Sequence, residues 1–206
     1  MNGDSSREDS TALYQEALAT FDGLLDAARA SGDSEPTAMT LATADGTGRV
    51  SARVVLLKGV GADGFRFYTN YESLKGAQLA AHPEVALCFH WKLLNEQVQV
   101  RIEGRVSKTS DADSDAYFAT RARGSQIGAW ASLQSQALPD RATFEERVAE
   151  FEKRFEGTSV PRPPHWGGYV VRPDRIEFWY GARFRLHERV TYVREGDGWH
   201  KGMLYP

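Results

Sequence analysis

A single cysteine, Cys88, among 206 residues excludes an internal disulfide framework and suits a reducing compartment. Positive charge is not in excess either. The 25 Lys and Arg residues are outnumbered by 28 Asp and Glu, for a formal net charge of −3. A general nucleic-acid binder carries a basic stripe, so no such partner is expected and any anion site must be local. No long uncharged apolar run offers a membrane span, and the opening MNGDSSREDS has no apolar core of a signal peptide. The expectation is a cytoplasmic protein with no membrane partner. Internal repeats and low-complexity tracts are missing, and without a G-x-S-x-G elbow nucleophilic hydrolysis has no support.

What remains is an ordinary globular composition, 41% apolar and 26% charged, which gives a chain of this length material for one sizeable core. Residues 1–10 are polar and read as a disordered tail, leaving 11–206 as a single domain. Leu13, Ala17, Phe21, Leu24, Leu25 and Ala28 recur at helical spacing, and that helix should stop near SGDSEP. Runs of strand type follow, TAMTLATA, RVSARVVLLK and FRFYTN, separated by Gly-rich turns. A short helix in ESLKGAQLAAHP precedes two more strands, EVALCFHWK and EQVQVRIEGRV, the second alternating apolar Val98, Val100 and Ile102 with polar neighbours. Helical character returns over 111–131 and 140–156. After the linker GTSVPRPPHWGG, the segments GYVV, RIEFWY, ARFRLHERV and GWHKGML read as closing strands.

Several groups could carry chemistry. Gly59, Gly61 and Gly64 in GVGADG match a dinucleotide-binding pattern, but a strand follows where that fingerprint needs a helix, so a hairpin turn is expected. Cys88 and His90 share a strand face without a second pair to complete a tetrahedral metal set, and no metal site is expected. Arg53 and Lys58 bracket an apolar strand, either snorkelling into water or facing an anion. Tyr117, Arg121 and Ser125 stand at i, i+4 and i+8. If one helix survives Gly124 they share a face, which is either a solvated surface or a phosphate site of phenol, guanidinium and hydroxyl. As a strand, ARFRLHERV places Arg183, Arg185, His187 and Arg189 along one side, next to Trp179.

The segments SARVVLLKG, FYTNYESLKG, RARGSQIGAWASLQSQ, VPRPPHWGG and IEFWYGARFRLHER together closely resemble the pyridoxine/pyridoxamine 5′-phosphate oxidase family, from about residue 36 to the C-terminus. The resemblance implies a mainly β fold with inserted helices, an antiparallel split β-barrel that forms a homodimer and binds FMN at the subunit interface. It implies a pyridoxal 5′-phosphate synthase that oxidises pyridoxamine 5′-phosphate and pyridoxine 5′-phosphate, with O2 as acceptor and H2O2 released. Carried over by position, Arg53, Val54, Val55, Leu56, Leu57, Lys58, Tyr68, Thr69, Lys75, Gln97, Gln134, Ser135, Trp179 and Arg189 are the implied FMN contacts. Lys58, Tyr117, Arg121 and Ser125 are implied at the substrate phosphate, with Arg185 and His187 at the substrate ring as the catalytic pair; Arg183 has no counterpart in the pattern. Three departures stand out. Leu74 occupies the place of a common family arginine, no basic segment is evident in MNGDSSREDS, and Met203 replaces the arginine of the terminal R-L-x-P. Two other readings stay open: an FMN-dependent oxidase of another small molecule on the same fold, and a non-catalytic flavin- or pyridoxal-phosphate-binding protein.

Overall fold

A computed structural model describes the backbone of residues 3–206 and the side chains of 11–206. Of the tail expected to be disordered, residues 1 and 2 lie outside the described residues, and 3–10 fall within the first helix, α1 (Gly3–Ala30). Strands β1 (Ala38–Ala44), β2 (Val50–Leu56), β3 (Gly59–Gly61) and β4 (Gly64–Asn70) follow, then helix α2 (Leu74–Ala81), β5 (Glu84–Trp91) and β6 (Val98–Lys108). Helices α3 (Asp111–Ala119), α4 (Arg123–Ala131) and α5 (Arg141–Arg154) form an insertion before β7 (Trp166–Tyr180), β8 (Glu188–Glu195) and β9 (Gly198–Leu204).

All strand pairings are antiparallel, in the order β2-β1-β5-β6-β7-β4-β3, with β8 and β9 added beside β7. The split originates in β7. Its first half, from Trp166 to Val171, pairs with β4, whereas its second half, from Arg175 to Tyr180, pairs with β8, and β6 runs along both. GYVV and RIEFWY, expected as two strands, are therefore one. Pro173 has no N–H for the ladder and sits where the β6–β7 register shifts, next to Gly104, whose close approach leaves no room for a side chain. A Cβ at Gly104 would stand 2.1 Å from the Arg172 carbonyl oxygen.

The curled sheet buries one face. Leu41, Leu87, Phe89, Val100, Ile102, Ile176 and Phe178 are fully enclosed, and α1 closes over them with Ala17, Phe21 and Leu25. Phe21 meets Phe65 and Phe89 edge-on, at 4.9 and 5.1 Å between ring centres, so the periodicity that predicts the helix also predicts its buried stripe. A smaller core of Phe118, Ile127, Phe155, Val160 and Trp166 fastens α3–α5 to the start of β7. The GVGADG segment is the β3–β4 hairpin, as its context requires.

Candidate active site

Between the sheet and the helical insertion lies a cleft of ≈ 720 Å³. Val54, Val55 and Leu56 from β2, Lys58 just beyond it, Tyr68 and Thr69 from β4 and Lys75 from α2 form one side. Tyr117, Arg121, Ser125, Gln134 and Trp166 are among the residues of the other. Three cations face this space, and among the described residues no Asp or Glu lines it. A cleft so furnished selects anions.

The sequence builds each part locally. Ser73 caps α2 by accepting from the Gly76 N–H, which sets Lys75 in the first turn. There Lys75 donates to Thr69 Oγ1, Ser73 Oγ and Gln134 Oε1, all neutral acceptors. Burial, with the Arg53 charge added, lowers its pKa to about 8. Arg53 donates to the Leu41 carbonyl, Thr43, Ser51 and Gln78, again with no carboxylate, and burial lowers its pKa. Among the described residues these two neighbouring cations have no counter-ion.

From the first side Tyr68 stacks on Tyr117 at 3.9 Å and on Trp166 at 5.6 Å, and the Arg121 guanidinium lies 4.6 Å over the Trp166 ring. Among the described residues its buried NH1 has no hydrogen-bond partner, and an unmet donor of a charged group is costly without an incoming acceptor. Tyr117, Arg121 and Ser125 do converge, but not along one helix. The chain breaks after Ala119, Arg121 occupies the joint and Ser125 enters with α4, so a helix–turn–helix achieves what the i, i+4, i+8 spacing suggests.

A second group of expected residues stands elsewhere. Gln97, Trp179, Arg185, His187 and Arg189 do not line this cleft, and neither do Arg53, Leu57 and Ser135. Leu57 points into the core, and Ser135 takes a positive φ of 74°. His187 packs against Trp179 at 4.4 Å and accepts the Ala182 N–H at Nδ1, which places the proton of its neutral ring on Nε2. Gln97 pairs with His90, and Arg189 is bound to Glu177.

The stretch 182–190 corrects its strand reading. Arg183–Arg185 form a 3₁₀ turn and β8 begins only at Glu188. Phe184 and Arg185 both adopt left-handed backbone, φ 59° and 62°, which a strand cannot hold, so Arg183, Arg185 and His187 do not share a strand face with Arg189. Arg183 is exposed, with Glu96 3.8 Å away. Residues the sequence left unassigned include Trp166, which carries the Arg121 stack and sits in the PHWGG segment, and Glu177, a lone acid in an apolar run.

A cleft of ≈ 730 Å³ between α4 and α5 mixes Arg123 and Lys153 with Glu152 and Glu156, and Arg123 already serves the Phe155 and Thr158 carbonyls. It has neither the charge bias nor the stacked rings of the first.

Two family models match. One described as pyridoxamine 5′-phosphate oxidase covers residues 25–155, and one described as the pyridoxine 5′-phosphate oxidase C-terminal dimerisation region covers 166–206. The chain is 60% identical over 172 residues to a pyridoxine/pyridoxamine 5′-phosphate oxidase of Myxococcus xanthus, covering 84% of this chain and 82% of that one. It is 58% identical over 194 residues to the protein of that name from Sphingopyxis alaskensis, covering 94% and 89%. Among solved structures, PhzG of Burkholderia lata 383 in complex with tetrahydrophenazine-1-carboxylic acid superposes with a TM-score of 0.86 at 30% identity, over 92% of each chain.

Proposed function

The chain belongs to the pyridoxamine 5′-phosphate oxidase family, and from that membership we propose the full reaction: pyridoxamine or pyridoxine 5′-phosphate is oxidised to pyridoxal 5′-phosphate with FMN as cofactor, O2 as acceptor and H2O2 as second product. Oxidation of the phosphorylated vitamers is the activity for which the 58–60% identical relatives are named. The observation that carries the reading here is the acid-free cationic cleft, with the unmet Arg121 N–H at its wall.

The residues fit a flavin phosphate. Lys75, cationic and without a carboxylate partner among the described residues, would hold its phosphate with the Arg53 charge behind it, and Val54, Val55, Leu56, Tyr68, Thr69 and Gln134 would flank its ring. FMN supplies two-electron acceptor chemistry. The protein supplies position. Lys58, Tyr117, Arg121 and Ser125 anchor the substrate phosphate, binding energy from that remote group lowering the barrier at the reacting carbon.

Gln97, Trp179, Arg185, His187 and Arg189 complete the cleft of a second copy in this reading. Support comes from their absence from their own chain's cleft and from the position of the last four within the dimerisation region. Arg185 and His187 then orient the pyridine ring, while Trp179, Arg189 and Gln97 meet the flavin. A cytoplasmic site of action suits the one free thiol, Cys88, and no described helix is long and apolar enough to cross a membrane.

Similarity to PhzG, solved with a carboxylated ligand, favours a second reading, oxidation of a non-phosphorylated ring compound. A non-catalytic flavin protein is a third. FMN-loaded protein should convert both phosphorylated substrates to aldehyde with one peroxide per turnover, and unphosphorylated pyridoxine should have a far lower kcat/KM. Equal kcat/KM with and without the phosphate, or no turnover, would overturn the proposal.

A further inference from the structure

The sheet formed by β6, β7 and β8 has two unlike faces. Val100, Ile102, Ile176 and Phe178 turn to the core, while Arg101, Glu103, Arg175, Glu177, Trp179 and Arg189 share the opposite face. On that face Glu177 is only 2% exposed, an unusual place for a carboxylate.

Its oxygens are divided. Oε1 accepts from Arg189 Nε at 2.8 Å and Arg189 NH2 at 2.7 Å, whereas Oε2 faces Arg101 NH1 at 3.5 Å and Arg175 NH2 at 3.6 Å. The tight contacts belong to Arg189 alone. Arg101 has a closer partner in Glu103 and is held there independently. From the far side, the Tyr205 carbonyl accepts from Arg189 NH1 at 3.1 Å. A guanidinium has five N–H donors in a planar fork, so among the described residues these bonds occupy three and leave two with their direction set.

We propose that Glu177 is a positioning residue for flavin binding: without touching the cofactor, it fixes the plane of the Arg189 guanidinium so that its two remaining donors face the FMN of a second copy. The inference rests on the assignment of Arg189 to the cofactor. Arginine gains most as an anion or ring-acceptor contact when its fork is oriented beforehand, because little rotamer freedom is then lost on binding. A buried carboxylate is a suitable holder, since it accepts two charge-assisted bonds from one guanidinium edge.

The test is release of FMN from holoenzyme, followed by the rise of flavin fluorescence on dilution, in wild type, Glu177→Gln, Arg189→Ala and the double variant. Glu177→Gln should raise the FMN dissociation constant on the order of tenfold or more, the scale of losing charge-assisted bonds, with kcat at saturating FMN near wild type. Added to Arg189→Ala it should change FMN affinity no further, because the group it positions is gone. An equal effect in both backgrounds overturns positioning and leaves a general structural role. If Arg189→Ala weakens FMN but Glu177→Gln does not, this inference alone fails. If Arg189→Ala holds FMN like wild type, the cofactor assignment of Arg189 fails with it. Should Glu177→Gln not fold, Glu177→Asp, which keeps the charge and withdraws it by one methylene, carries the same expectation in the same four-way comparison.

Discussion

Lys75 Nζ lies 2.7 Å from Gln134 Oε1, a bond that joins the first turn of α2 to the segment after α4 across 59 residues of sequence. The two walls of the cleft are thereby tied where, among the described residues, the positive charge has no counter-ion. Whatever anion arrives there meets an ammonium whose proton is already loosely held.

That ammonium makes a pH prediction with a definite sign. Folding lowers the Lys75 pKa from 10.5 to about 8, so below about 8 the apoprotein carries the full cost of the buried charge. Between about 8 and 10.5 the unfolded chain holds a proton that the folded chain has released, and stability contributed by this group rises with pH. An anion beside Nζ reverses the preference, so FMN binding should take up a proton and weaken from about pH 7 to about pH 9.5. Titrations at the two pH values check this, and Lys75→Arg, which stays charged, should flatten the dependence.

Arg121 lies over Trp166 with an unmet N–H, so its loss should be felt through the phosphate. In Arg121→Ala, kcat/KM for the phosphorylated substrates should fall on the order of 10²-fold, and for unphosphorylated pyridoxine by far less. Steady-state kinetics on both forms decide it, and equal losses would remove Arg121 from the phosphate.

Much of this was legible from residue patterns. The alternation in VQVRI and the helical spacing of Ala17, Phe21 and Leu25 report burial directly, because one face of each element is in the core. The turn at 183–185 was not legible, since left-handed backbone is signalled by Gly or Asn and here falls on Phe184 and Arg185. Nor was the break between α3 and α4, which carries no proline and leaves Arg121 in a joint. Motif resemblance grouped the expected site residues, whereas in the fold some of them line the cleft and Gln97, Trp179, Arg185, His187 and Arg189 stand outside it.

Gly64 tests the sheet that holds β4. It has φ +127°, and a Cβ there would stand 2.0 Å from the Val171 carbonyl oxygen, so neither backbone can yield without breaking the β4–β7 pairing. Gly64→Ala should destabilise by ~3 kcal/mol or more, seen as a fall in Tm, and should release flavin as Tyr68 and Thr69 shift.

Arg185 and the cleft cations should fail in different ways. Arg185→Ala should keep its flavin and lose turnover by about 10²-fold, the scale of a lost orienting contact. Absorbance of the purified variant and its kcat check both halves.

In the proposed function each active site is assembled from two chains, and subunit complementation reports on that sharing. Arg121→Ala and Arg185→Ala protein, each nearly inactive alone, are mixed and allowed to exchange subunits. A shared site predicts recovery to roughly a quarter of wild-type activity, because half of the dimers are mixed and each of those contains one intact site of two. If cleft and arm instead served the same chain, every site would carry a defect. The mixture would then stay as inactive as its parents, an outcome incompatible with a shared site.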